Sequence, residues 1–109
     1  MQHLKQTKPT NCGQTVVAML FDITIESAEQ LVGHDGITTE AEIVSLLTKH
    51  GLLPLKKTAK RAVWLQLHKN PKNSKQKHWT LKVNGDIIDP SGRKPEDLWP
   101  AEKFWMLNY

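Results

Sequence analysis

Apolar residues recur at helical spacing in the first half of this chain and alternate in the second. From about Cys12 to Phe21, Val16, Val17, Met19 and Leu20 cover much of a helix circumference, the pattern of a helix inside a core rather than on its surface. Thr24 stands as the N-cap of a second helix that carries Ile25, Ala28, Leu31 and Val32 on one face, and Gly33 ends it. Thr39-Glu40-Ala41-Glu42 has the Thr-x-x-Glu form of a capping box, in which each end residue satisfies the other's orphan N–H. It opens a third helix with Ile43, Leu46 and Leu47 on its buried face and a close at His50-Gly51.

After Gly51 the period falls to two. Leu52 to Lys57 reads as a short edge strand, because Pro54 has no N–H to give a neighbour. Arg61 to His68 alternates Val63, Leu65 and Leu67 against Ala62, Trp64 and Gln66, so both faces are fairly apolar and an internal strand is expected. Lys69 to Lys77 reads as a polar loop. His78 to Val83 alternates again, and Asn84-Gly85 is the two-residue turn of a hairpin that returns over Asp86 to Asp89. Pro90-Ser91-Gly92 is a turn, Pro95 and Pro100 each open a short helical turn, and Phe104 to Tyr109 is a last strand. Helices first and an antiparallel sheet second is the α+β arrangement, here in a single domain spanning residues 1–109.

Composition narrows the picture. One cysteine excludes an internal disulfide and a Cys-rich zinc site. The N-terminus lacks the apolar run of a signal peptide, and Val16 to Phe21 is far short of a membrane span. The expectation is a cytoplasmic protein with no membrane partner, with secretion as an effector the other route. Fifteen Lys and Arg against eleven Asp and Glu give a net charge of +4. The excess is local, in Lys56, Lys57, Lys60 and Arg61 and again in Lys69, Lys72, Lys75 and Lys77. The second cluster reads either as a solvated loop or as a site for an acidic partner. Nucleic acid is disfavoured there, because the tryptophans fall on apolar strand positions and not in an exposed stacking row.

Cys12, at the head of the apolar helix, is the candidate nucleophile. Unpaired N–H groups and the positive end of the helix dipole at that position favour thiolate, the reactive form. Gln6 can fold back so that its amide and the Cys12 N–H face an oxyanion on an attacked carbonyl. With Asn84 and Gly85 central in a type I′ turn, opposed residues have numbers summing to 169, so Thr80 lies opposite Asp89. His78 and Asp89 then emerge on one side as a diagonal pair with Cβ atoms roughly 7 Å apart or less. A carboxylate on one ring nitrogen fixes the tautomer and leaves the other nitrogen to face a nucleophile. His34 and His50 have structural explanations at a turn and a helix end, while His3 and His68 lack a carboxylate placed by so definite a turn. A metal on Cys12, His78 and Asp89 is disfavoured, since no further Cys or His ligand is evident, and no cofactor is expected.

Gln6 followed by Cys12-Gly13, Ala18-Met19, Gly36-Ile37-Thr38-Thr39, Lys49-His50-Gly51-Leu52, His78-Trp79 and Asp89-Pro90-Ser91-Gly92 resemble, in their order and spacing, papain-fold cysteine peptidases, most closely the C39-like bacteriocin-processing branch. The resemblance covers roughly residues 6 to 92. It implies a papain-like fold with the nucleophile helix central, in which Cys12 attacks an amide carbonyl of a peptide or protein, His78 shuttles the proton, Asp89 orients His78, and Gln6 helps hold the oxyanion. It also implies a thiolate–imidazolium resting pair, with Trp79 beside the histidine and on the substrate. Asn11 departs from the branch, which usually has an acidic residue there. Small papain-fold domains include deamidases and bacterial or phage effector toxins, so hydrolysis and transfer both stay open. A non-enzymatic module holding an acidic partner at Lys69 to Lys77 is the other reading.

Overall fold

The structure is a computed structural model that describes residues 1–56 and 62–109. Helix α1 (Cys12–Phe21) buries every residue from Gly13 to Leu20, as its all-round apolar pattern requires. Asp22 closes it in a left-handed conformation, its N–H donating to the Ala18 carbonyl. Helix α2 (Ile25–Val32) starts where the Thr24 hydroxyl accepts from the Ser27 N–H at 3.1 Å and stops where Gly33, at φ 99°, donates to the Glu29 carbonyl. Helix α3 (Glu40–Lys49) has both arms of its capping box, Glu42 N–H to Thr39 Oγ1 at 3.1 Å and Thr39 N–H to Glu42 Oε1 at 2.9 Å. Such a cap is worth about 1 kcal/mol.

Four antiparallel strands follow: β1 (Val63–Asn70), β2 (Asn73–Val83), β3 (Asp86–Ile88) and β4 (Ala101–Met106), in the spatial order β3-β2-β1-β4. Three helices and this sheet make an α+β fold. Asn84 and Gly85 have φ of 50° and 92°, and the hairpin register pairs Val83 with Asp86, Lys82 with Ile87 and Leu81 with Ile88. Val63, Leu65 and Leu67 of β1 and Trp79, Leu81 and Val83 of β2 are buried in one cluster with Val16, Val17 and Met19 of α1. Burying the α1 side chains fixes the helix against the sheet, and with it the position of the helix tip.

Three expectations are corrected. Leu52 to Lys56 is not a strand, and Lys57 lies outside the described residues, as do Lys60 and Arg61. The Asn108 side chain takes the backbone of that segment, donating to the carbonyls of Gly51 (3.3 Å) and Pro54 (2.6 Å) and accepting from the Lys56 N–H (3.1 Å). The sheet edge it would have occupied belongs to β4, which pairs with β1 from Trp64–Met106 to His68–Ala101. Consequently Ala101 to Lys103, expected as a helical turn after Pro100, is strand; ladder bonds to β1 override the local preference. The third correction concerns Lys69 to Lys77, which is not a loop but the far end of the β1–β2 hairpin, with Lys69 opposite Lys77 and Asn70 opposite Asn73. Asn70 closes its tip, accepting from the Lys72 N–H and donating to Gln76 Oε1. Pro95–Asp97 is a short 3-10 turn with proline at its start, as expected.

Candidate active site

The head of α1 has no side-chain cap. Asn11 precedes it and is fully buried, but its side chain is spent on the entering loop: Oδ1 accepts from the Lys8 N–H at 3.1 Å and Nδ2 donates to Thr7 Oγ1 at 2.9 Å. The first-turn N–H groups beside Cys12 are therefore left without a capping oxygen, and an anion at this end of the helix is favoured. Cys12 itself is a free, half-buried thiol.

Gly13 allows the neighbouring loop to close on the helix tip. A Cβ at Gly13 would lie 2.2 Å from Thr38 Oγ1, so only glycine fits. The next residue, the buried Gln14, donates through Nε2 to the carbonyls of His34 and Gly36, both at 2.9 Å, and so pins this loop against α1. Ile37 and Thr38 thereby join Cys12 on the wall of a cleft of about 230 Å³. Gln6, His78, Lys75, Lys77, Ser91 and Arg93 also line it.

The hairpin brings His78 and Asp89 together as its register predicts. Nε2 of His78 is hydrogen-bonded to Asp89 Oδ1. That bond leaves Nδ1 as the ring nitrogen not held by Asp89, and Cys12 shares the wall of the cleft with His78, near enough to act on the charge of its ring. Asp89 is held in turn by the turn that follows β3: Ser91 N–H donates to Oδ1 at 2.9 Å, and Ser91 Oγ (2.7 Å) and Arg93 N–H (3.0 Å) donate to Oδ2. Burial opposes charge on His78, but the bond to Asp89 and the nearby Cys12 sulfur outweigh it and raise the imidazole to about 9. Burial likewise opposes the Asp89 carboxylate, and the bonds from His78 and Ser91 overcome it and lower the group to about 2. A charged pair of opposite sign results.

Gln6 reaches the cleft because its backbone N–H donates to the Pro90 carbonyl at 2.8 Å, tying the N-terminal segment to the turn that carries Asp89. Its side chain is not wholly free to face an oxyanion: Nε2 donates to the Lys8 carbonyl at 2.8 Å, leaving one N–H on that nitrogen. Its Oε1 is buried without a partner. Trp79 lines the cleft at one edge but is only 2% exposed, its ring centroid 5.9 Å from that of Trp105 in the core.

Of the other four histidines, His3 is exposed and does not line the cleft, and three have structural partners. His34 Nε2 meets Glu42 Oε2 at 2.6 Å and its Nδ1 accepts from the Gly36 N–H, while His50 ends α3 beside the Phe21 ring. His68 faces His78 across the β1–β2 ladder, and burial lowers its pKa. Its Nδ1 lies 2.7 Å from the Trp99 carbonyl and its Nε2 2.7 Å from Thr80 Oγ1, so the neutral ring carries its hydrogen on Nδ1. Among the described residues, no group of three His, Cys, Asp or Glu side chains is placed to hold a metal ion, and no helix is long and apolar enough to cross a membrane.

Sequence reasoning overlooked Ser91, Arg93, Ile37 and Thr38. Asp89-Pro90-Ser91 carried a signal for the first, because an aspartate that starts a turn accepts from the residue two positions on. Ile37 and Thr38 entered only as part of the Gly36-Ile37-Thr38-Thr39 run, with no sign of a place in the cleft, since the Gln14 bonds that position them span 20 and 22 residues. No protein-family model, no curated protein and no solved structure matches the chain.

Proposed function

We propose that the protein is a cysteine-dependent hydrolase or acyl transferase acting on a peptide or protein amide, similar in fold and chemistry to the papain-like peptidases of the C39-like branch. The observation that carries this reading is His78, bonded to Asp89 on one side, sharing one cleft with the Cys12 thiol at the head of α1.

Asp89 holds the Nε2–H of His78, and Nδ1 takes the thiol proton, so Cys12 enters the reaction as thiolate. The sulfur attacks the carbonyl carbon, a C–S bond forms, and the carbonyl electrons move to oxygen. That oxyanion develops at the uncapped head of α1, where the Cys12 N–H and the second Nε2–H of Gln6 donate to it. The intermediate collapses as His78 gives its proton to the departing nitrogen, leaving a thioester. Water, deprotonated by His78, then releases the acid and restores the thiol; an amine in place of water gives transfer. If ammonia is the leaving group, the same steps are a deamidation.

Alkylation of Cys12 by iodoacetamide near pH 6 tests the arrangement. The rate is expected to fall about 10-fold or more in His78→Ala, because the ring that takes the thiol proton is gone. Equal rates in the two proteins would remove the reading. Mass identification of an adduct trapped on Cys12 in a cell lysate then identifies the acyl group.

A further inference from the structure

The wall of the cleft is basic. Lys75 and Lys77 of β2 line it together with Arg93 from the turn after β3. No Asp or Glu among the described residues lines it. Asp89 stands behind His78 with its side chain 2% exposed and its oxygens occupied. Three cations outside the cleft are paired, Lys8 with Glu29 and Asp35, Lys69 with Glu102 and Lys103 with Glu40. Lys75, Lys77 and Arg93 have no carboxylate partner among the described residues. The Arg93 guanidinium lies 5.5 Å from the Trp99 ring centroid, a contact that fixes its charge beside the cleft while leaving its N–H groups to donate. Lining one cleft, the three charges face the same occupant.

Trp79 at the cleft edge is only 2% exposed and offers a nucleobase no face to stack on, so the occupant that answers these charges is a peptide carboxylate and not a nucleotide. We infer that the cleft takes an acidic peptide segment: an Asp or Glu side chain close to the attacked amide is received by Lys75, Lys77 and Arg93. This assigns a substrate class to the site proposed above and rests on that reading for the reaction, though not for the binding.

Protection of Cys12 from iodoacetamide in the full chain measures the binding directly. A hexapeptide alternating Ala and Glu is expected to protect at about one tenth the concentration needed by its Ala and Gln counterpart, a difference of about 1.4 kcal/mol, and the Ala and Lys peptide to protect least. High salt should erase the difference. In Lys75→Glu/Lys77→Glu the order should reverse, and in Lys75→Gln/Lys77→Gln the Glu and Gln peptides should become equal; each comparison is a ratio within one protein, so a change in its basal reactivity cancels. Equal protection by all three peptides, or none by any, overturns the inference. Protection by a short oligothymidylate at lower concentration than the Glu peptide also overturns it, in favour of phosphate. These outcomes are independent of whether His78→Ala slows alkylation, so the reaction and the preference can fail separately.

Discussion

Gly13 and Thr38 meet with no side chain between them, the place of a glycine Cβ being only 2.2 Å from the threonine Oγ1. Gly13→Ala is therefore expected to push the Thr38 loop off the helix tip at a cost of about 1–3 kcal/mol, the usual range for overpacking a tight contact. For a domain of this size each kcal/mol lowers the melting temperature by about 4–8 °C. Adding Thr38→Ala, which removes the nearest atom, should recover part of the loss. A Gly13→Ala midpoint equal to wild type in thermal denaturation would contradict the contact.

The ion pair of His78 and Asp89 makes stability depend on pH with a definite sign. The folded imidazole, raised to about 9 from 6.5, contributes fully below pH 6.5 and loses that contribution as pH rises through about 9. The folded carboxylate, lowered to about 2 from 3.8, contributes above pH 3.8 and loses that contribution as pH falls through about 2. The difference in unfolding free energy between wild type and Asp89→Asn should be largest between roughly pH 4 and 6.5, on the order of 2 kcal/mol, and smaller on either side. Urea denaturation at a series of pH values measures it. In NMR the His78 midpoint should lie near 9 in wild type and fall in the variant; a midpoint that stays put in Asp89→Asn assigns the shift to something else.

Ser91 acts through Asp89. Its hydroxyl donates to Oδ2 at 2.7 Å and lies 3.4 Å from His78 Nε2. Ser91→Ala removes one donor to a buried charge, worth about 1.5–3 kcal/mol in general, while the Arg93 N–H remains on Oδ2. The His78 midpoint is expected to drop by less than in Asp89→Asn, and Cys12 alkylation to slow by less than in His78→Ala. Ser91→Thr, which keeps the hydroxyl, should restore both. Wild-type behaviour of Ser91→Ala in both measurements would make this side chain a bystander.

Asn108 holds the segment after α3 with three bonds, to Gly51, Pro54 and Lys56. Asn108→Ala leaves those backbone groups to solvent and should cost about 1–3 kcal/mol. Amide exchange at Lys56 should quicken more than at Leu65 or Leu81, which sit in the sheet. Uniform quickening would mean that the whole domain, and not this segment, had loosened.

Local chemistry was written plainly enough to be read. The capping box at Thr39 and Glu42, the Thr24 cap and the Gly33 stop bound their helices as expected, because each signal is satisfied within four residues. The Asn84-Gly85 turn sets a register that carries Asp89 to His78, since a two-residue turn leaves the strands no freedom to slip. Pro54 and Pro100 misled, because a proline reports what its own backbone cannot do, and both segments were decided by partners far along the chain: Asn108 for the first, β1 for the second. The Lys69 to Lys77 stretch misled for a related reason. Its polarity suits a loop, yet an exposed hairpin arm tolerates the same residues once its ladder bonds are made.

By itself, then, the order of residues determined three helices, a hairpin and the histidine and aspartate that the hairpin aligns, all of which follow from backbone geometry acting over short distances. Folding in three dimensions decided that the head of α1 meets that hairpin, that the Thr38 loop closes on Gly13, that Gln6 is tied to Pro90, and that three unpaired cations share one cleft. Those contacts join residues from both ends of the chain, and what fixes them is burial of the α1 side chains against the sheet, a force without direction that no local pattern specifies.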